Sequence, residues 1–426
     1  MATYPTNTKK RLSPTVYYLL TGIALSWPGL VATGRLLPLW RTGETDFALS
    51  LATIHDLVLA FMLSVAFGVL YQIVPIAFRA PAMPRHVFRW HLPVHVAAVT
   101  TMIVGFLTQR FAIVGVGGSA LFVNMVVYFG WLLQSYFRAK NRTPVHRQLG
   151  LPFLALWSVV LIGIYQALFP GKVTDSVLMT HVMVGGFAFW GGLVLILSYK
   201  LLPMFAISHG YRASLARTTW LYFAGMLMLF ANVWGLDHVS LVVQALARIV
   251  GGILMLLGLL SFGVDMTRVM FARKRLRIVR PVMNAVVSIG GFIVGQIGIL
   301  LAWEMRDASW LFASIYAYVF GGLIPLMFSF MQKIVPFLWF EYRFSKRPER
   351  KTAPLIDDMV PRRTAQTGYW VYMAGVAMGV ASMLGFSHAW FDWLSAGCLA
   401  AGSLILFFAL QRVLRIGGHR PDDDLE

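Results

Sequence analysis

Two histidines in long apolar runs carry most of the chemistry this sequence offers. His55 follows Leu51-Ala52-Thr53-Ile54 and opens a run that ends in Tyr71-Gln72-Ile73-Val74-Pro75. His181 follows Met179-Thr180, and its run ends in Tyr199-Lys200-Leu201-Leu202-Pro203. A third run of the same design ends in Gln332-Lys333-Ile334-Val335-Pro336 but carries Ser314-Ile315-Tyr316 near its start. An imidazole inside an apolar run is costly and marks a functional position by default. Its neutral form can ligate haem iron or copper. The alternative is a helix-end histidine bonded to a backbone carbonyl or to headgroups. The match between the two is imperfect: the proline lies 20 residues after His55 (55 to 75) and 22 after His181 (181 to 203). On a regular helix that difference is a large rotation unless a bulge absorbs it.

Three further features could do chemistry. His91 and His95 are spaced i, i+4 and share one helix face, so they could bind a metal. The stretch before them, RAPAMPRHVFRW, is basic and aromatic, which instead suggests an interfacial anchor. Arg248 sits about ten residues into an apolar run. A guanidinium there needs an anion. Asp56, Asp237, Glu304 and Asp307 lie nearest by level. A ligand carboxylate such as a haem propionate, a protein ion pair, and snorkelling to the surface are the three possible outcomes. Methionines such as Met179 and Met183 read as lipid-facing or core filler. Tryptophans such as Trp27, Trp40, Trp234, Trp303 and Trp310 sit at interface depths.

The elements that must position these residues are membrane helices. The chain has 426 residues, 58% hydrophobic and only 12% charged, with a mean hydropathy of +0.71. The runs do not alternate, which excludes a β-barrel. Twelve spans are predicted, roughly 14–36, 50–78, 91–109, 112–137, 149–169, 177–206, 215–235, 239–267, 282–304, 309–340, 368–387 and 389–412. Lys and Arg gather in the loops after the even spans, so both termini are expected on the cytoplasmic side of the cell membrane. The net charge of +19 then reflects this asymmetry rather than nucleic-acid binding. On this topology His55, His181, His238 and His388 lie toward the outer face. His86, His91, His95, His146, His209 and His419 lie toward the cytoplasm. Cys398 is the single cysteine, which excludes intramolecular disulfides and thiolate metal clusters. The polar first dozen residues and the absence of a small-residue cleavage site argue against a cleavable signal peptide.

The spans fall into three tandem four-helix units, approximately 14–137, 149–267 and 282–412, within one membrane domain covering 1–426. Four is even, so the units share one orientation, and a pseudo-threefold ring is the expected packing. The 341–367 segment is the longest loop and reads as a solvated basic linker that also attracts anionic lipid.

Twelve helices in three units, with His55 early in helix two and His181 in helix six, resemble subunit I of the haem–copper oxidases and degenerate relatives such as NO-response membrane proteins. The resemblance implies low-spin haem on His55 and copper on His181. The chain departs from the pattern elsewhere. No adjacent histidine pair stands near helix seven on the outer side. The stretch Phe312-Ala313-Ser314-Ile315-Tyr316-Ala317-Tyr318 in helix ten contains no histidine. Ordinary dioxygen reduction is therefore not expected. What remains is a haem b held by His55 and His181 together, or by His55 alone with a position open to NO, CO or O₂, and with Tyr316 and Tyr318 lining the third unit's side. The expected role is electron transfer, gas sensing or NO-related redox chemistry. The alternatives are a transporter or chaperone for haem, copper or another small ligand, and a non-catalytic partner subunit of a respiratory complex.

Overall fold

The structure is a computed structural model that describes residues 12–234, 240–274, 277–344, 353–386 and 388–417. The expectations for Asp237, His238 and His419 lie outside the described residues. Among the described residues there is no strand, only an isolated bridge between Ser208 and Arg273. Among the described residues twelve long helices make up the fold. They are α1 Pro14–Arg41, α2 Phe47–Phe78, α3 Arg85–Leu107, α4 Phe111–Arg138, α5 Pro144–Leu168, α6 Asp175–Ala206, α7 Leu215–Trp234, α8 Leu241–Phe271, α9 Arg280–Met305, α10 Ala308–Arg343, α11 Arg362–Met383 and α12 Ala389–Val413. Ten of them are long and apolar enough to cross a membrane. The other two, α7 and α11, have 20 and 22 residues. Large apolar side chains such as Val116, Trp220, Leu227 and Val294 face outward. Water does not tolerate that much outward apolar surface, and a bilayer does.

Pairs of helices close through small residues, as membrane packing requires. A Cβ on Gly258 of α8 would lie 2.8 Å from the Tyr222 nitrogen of α7, and one on Gly402 of α12 would lie 2.5 Å from the Tyr372 nitrogen of α11. α1 is interrupted at Ser26, where Pro28 removes a backbone donor and clashes with the preceding turn.

The helices α2, α6 and α10 share one local plan. Each opens on a side-chain cap: Asp46, Thr174 and Asp307 accept the backbone N–H of Leu49, Val177 and Trp310 respectively. Each then runs through a π-helical segment, at Asp56–Leu63, Val184–Gly191 and Ala317–Leu323. Each reaches its signature proline 29 residues beyond the cap (46 to 75, 174 to 203, 307 to 336). Four residues later α2 and α6 stop on a left-handed residue, Arg79 and Ile207, whereas α10 continues to Arg343. The three helices touch pairwise. His55 meets His181, Phe187 meets Tyr318, and Phe61 meets Phe328 at ring separations of 6.3, 6.0 and 5.4 Å.

The loop after α10 is not a free linker over its described part. Lys333 of α10 pairs with Asp357, and Met359 and Val360 are buried. The charge run hid a docked turn, because the apolar pair within it has α10 to pack against.

Candidate functional site

The cap-and-π plan of α2 and α6 decides where their histidines point. His55 is the last residue before the π segment of α2. Its Nδ1 donates to the Leu51 carbonyl at 2.8 Å, since a carbonyl can only accept. The proton is therefore on Nδ1, and Nε2 carries the lone pair. The Phe106 ring lies 4.6 Å from the His55 ring. His181, on α6, sits 6.3 Å from His55 between ring centroids, with the planes 26° apart. Its Nδ1 is buried and has no partner. Its ring edge rests on Gly163 of α5, where a Cβ would be 3.0 Å from Cε1 and 3.6 Å from Nδ1. The chain thus brings two imidazoles from distant sequence together at the capped ends of α2 and α6. Both are only half-buried.

These donors suit a metal. Metal–nitrogen bonds of about 2 Å place two opposed ligating nitrogens about 4 Å apart. The two rings stand 6.3 Å apart between centroids. A ring N–H anchored on a backbone carbonyl, as in His55, is the support that metal-bound imidazoles ordinarily have. Asp56, next to His55, is otherwise engaged. It is buried, and its Oδ2 accepts the Gly29 N–H at 2.9 Å in the first turn after the break in α1.

The register of these residues was not read from the sequence. Counted from the caps, His55 stands at position nine (46 to 55), and so do Met183 (174 to 183) and Tyr316 (307 to 316). His181 stands at position seven, with Thr53 and Ser314. The two histidines are therefore not equivalent residues of a repeat. The signal was present: Asp, Thr and Asp caps, each 29 residues before a proline, fix the alignment better than the histidines do. Tyr316 is buried, and its ring stacks on Phe320 at 4.4 Å. Its hydroxyl lies against Gly379 of α11 and has no hydrogen-bond partner. Among the described residues its ring contact is with Phe320, not with either imidazole.

His91 and His95 are not an interface anchor. Both are 0% exposed, and the reason lies in α2. A π segment shifts the backbone ladder from i→i+4 to i→i+5 bonds, and its carbonyls still have a lone pair for a side-chain donor. His95 Nε2 donates to one carbonyl of the α2 segment, Leu59, at 3.1 Å. Phe67 packs edge-on against both rings. His91 Nδ1 lies 2.6 Å from the Tyr18 hydroxyl. His91 Nε2 and His95 Nδ1 are left without partners. The same task recurs on α6. The Tyr318 hydroxyl donates to the Gly186 carbonyl at 2.7 Å, and the Tyr222 hydroxyl faces the Phe187 carbonyl at 3.1 Å and Gln296 Oε1 at 2.9 Å. One proton cannot serve both acceptors. Turning the Gln296 amide over lets its otherwise unpartnered Nε2 donate to Tyr222, which then donates to Phe187. Leu59 and Phe187 both stand at position thirteen (46 to 59, 174 to 187), so His95 and Tyr222 do equivalent work.

Arg248 finds a protein anion. Its Nε lies 2.9 and 3.1 Å from the two carboxylate oxygens of Glu304. Arg248 and Glu304 are 31% and 43% exposed. The anion inferred from the sequence is thus supplied by α9, and no propionate is required there. Among the described residues no group of three or more His, Cys, Asp or Glu side chains could hold a metal ion, so the two imidazoles form a pair without a third such ligand. Neither a protein-family model nor a curated protein matches this chain.

Proposed function

We propose that the chain is a multi-pass cell-membrane protein that binds haem b between His55 and His181, for electron transfer or for redox chemistry or sensing of a small gas. The observation that carries this reading is the His55–His181 pair itself. The two imidazoles come from different helices with rings 6.3 Å apart, one with its lone pair fixed on Nε2 and the other with an unpartnered buried Nδ1. A haem held there by His55 and His181 would supply a one-electron iron couple and a site for a small gas. The protein's own residues hold the rings: the Leu51 carbonyl fixes the His55 tautomer, and Gly163 makes room for His181. In this reading α7 and α11 also span the bilayer, which gives twelve spans in three four-helix units with both termini cytoplasmic. Support comes from the shared plan of α2, α6 and α10, from their pairwise contacts, and from the packing of α12 against the second half of α1.

Copper is the second reading, and one observation favours it. Among the described residues the pair has no third His, Cys, Asp or Glu beside it, and two imidazoles are a donor set that copper accepts. A carrier for haem or copper would use the same residues transiently.

The test is a reduced-minus-oxidised absorption spectrum of purified protein, with His55→Ala and His181→Ala alongside. Haem b gives a sharp reduced band, lost in His55→Ala and converted to high-spin in His181→Ala. A protein that takes up no haem when haem is supplied, but binds one copper that either variant abolishes, is the second reading. Protein that binds neither sinks both.

A further inference from the structure

Away from the histidines, at the opposite end of the bundle, a groove of about 570 Å³ runs between the starts of α9 and α11. Arg280 and Arg363 stand at its mouth. Gln366 and Thr367 line its upper wall, and Trp370 and Ala374 line the part further along α11. We propose that this groove is a binding site for an anionic phospholipid, with the phosphate between the two arginines and an acyl chain along α11.

Two features leave the charge at the mouth unbalanced, and a third fixes the wall behind it. First, neither arginine has an ion-pair partner among the described residues. Second, both helices start without a side-chain cap and without an acidic residue in the first turn. A helix start presents unpaired N–H groups and a positive dipole end, so cations there repel it and an anion relieves both. Third, Asn284 lies one turn beyond Arg280 on the same face of α9. It is 1% exposed, and its Oδ1 accepts from the groove-lining Gln366 at 3.2 Å while its Nδ2 has no partner. The buried carboxamide thus braces the groove-lining Gln366 from behind.

The shape selects a lipid over a free anion. From Arg363 to Ala374 the lining descends eleven residues, about 16 Å along the helix axis. Polar side chains occupy the first turn, and Trp370, Val371 and Ala374 follow. That order, guanidinium then aromatic then aliphatic, matches a phosphate, a glycerol backbone and an acyl chain. Arginine forks suit a phosphate's paired oxygens, and a tryptophan at that level is at home in the headgroup zone. The site is independent of the histidine pair.

The experiment is native mass spectrometry of full-length protein released from bilayers of zwitterionic phosphatidylcholine with or without phosphatidylglycerol. Wild type should retain phosphatidylglycerol in preference to phosphatidylcholine. The pair Arg280→Gln, Arg363→Gln should lose that preference with its helical circular dichroism unchanged. Should that pair not fold, Val371→Trp fills the apolar part of the groove with both charges intact and should also lose the lipid. Excess inorganic phosphate should not displace the lipid. Equal retention by wild type and the variants overturns the proposal. Displacement by phosphate overturns the lipid assignment and leaves a free-anion site.

Discussion

Substituting Gly163 separates the histidine pair from the stability of the helix that supports it. In a helix interior, glycine to alanine is worth about 0.5–1 kcal/mol of stability. At this position the new Cβ would meet His181 Cε1 at 3.0 Å and Nδ1 at 3.6 Å. A ring edge yields a few tenths of an ångström readily, so the two effects nearly cancel. Gly163→Ala is therefore expected to unfold within about 1 kcal/mol of wild type. Valine carries two methyls further into the ring. Overpacking of that kind costs about 1–3 kcal/mol, and much of it is relieved by swinging His181 away from His55. Affinity for haem or copper should then fall about 10–100-fold, as when the support of a ligating histidine is removed. The assay pairs thermal unfolding in detergent with spectrophotometric titration by haem, and by cuprous ion under reducing conditions. A Gly163→Val protein that titrates like wild type would refute His181 as a ligand.

Tyr318→Phe strips the donor from the Gly186 carbonyl. One lost side-chain hydrogen bond costs about 0.5–1.5 kcal/mol in soluble proteins, and measured membrane hydrogen bonds average about 0.6 kcal/mol, so a loss of about 1 kcal/mol is expected in detergent unfolding; no measurable loss would mean that water reaches the π segment. His95→Phe removes the side-chain donor to the Leu59 carbonyl in the same way and should destabilise by about 0.5–1.5 kcal/mol with metal and haem uptake unchanged, and lost uptake would move the site to α3. For Arg248 and Glu304, both partly exposed, a double-mutant cycle should give a coupling of about 0.2–1 kcal/mol. If Arg248→Ala abolished haem binding while Glu304→Ala did nothing, a ligand carboxylate would be the true partner.

What the sequence made legible, and what it hid, divides along physical lines. Apolar length alone placed the helices, because every backbone group in a bilayer must be paired within its segment. The helix edges moved outward where polar starts continue apolar runs: α3 begins at Arg85 rather than near residue 91. The need of Arg248 for an anion was legible, and Glu304 was among the candidates by level. The fate of His91 and His95 was not, because nothing local announces a π segment. The Leu59 carbonyl within it is the acceptor that the buried His95 imidazole finds, and that carbonyl lies 36 residues away. The basic run before His91 drew attention to the surface, while the helix turned its histidines inward.

The two-residue offset between His55 and His181 was read in the sequence as a flaw in the match. The contacts give it a different meaning. In a ring of like units, each helix meets the next through opposite flanks, so the facing residues are not equivalent ones. His55 at position nine of α2 meets His181 at position seven of α6. Phe187 at position thirteen of α6 meets Tyr318 at position eleven of α10. Both steps pair a residue with one two places earlier on the next helix. The third contact, Phe328 of α10 with Phe61 of α2, pairs position twenty-one with fifteen, which is the same offset plus about one helical turn. The three contacts agree with the proposed cyclic arrangement, in which the histidines need not be equivalent. Two residues are about 200° of helix rotation. Moving the imidazole by His181→Thr with Met183→His, so that both histidines stand at position nine, should therefore part the rings and abolish haem or copper uptake. If that double variant bound as well as wild type, the offset would be incidental and the cyclic reading of α2, α6 and α10 would fall with it.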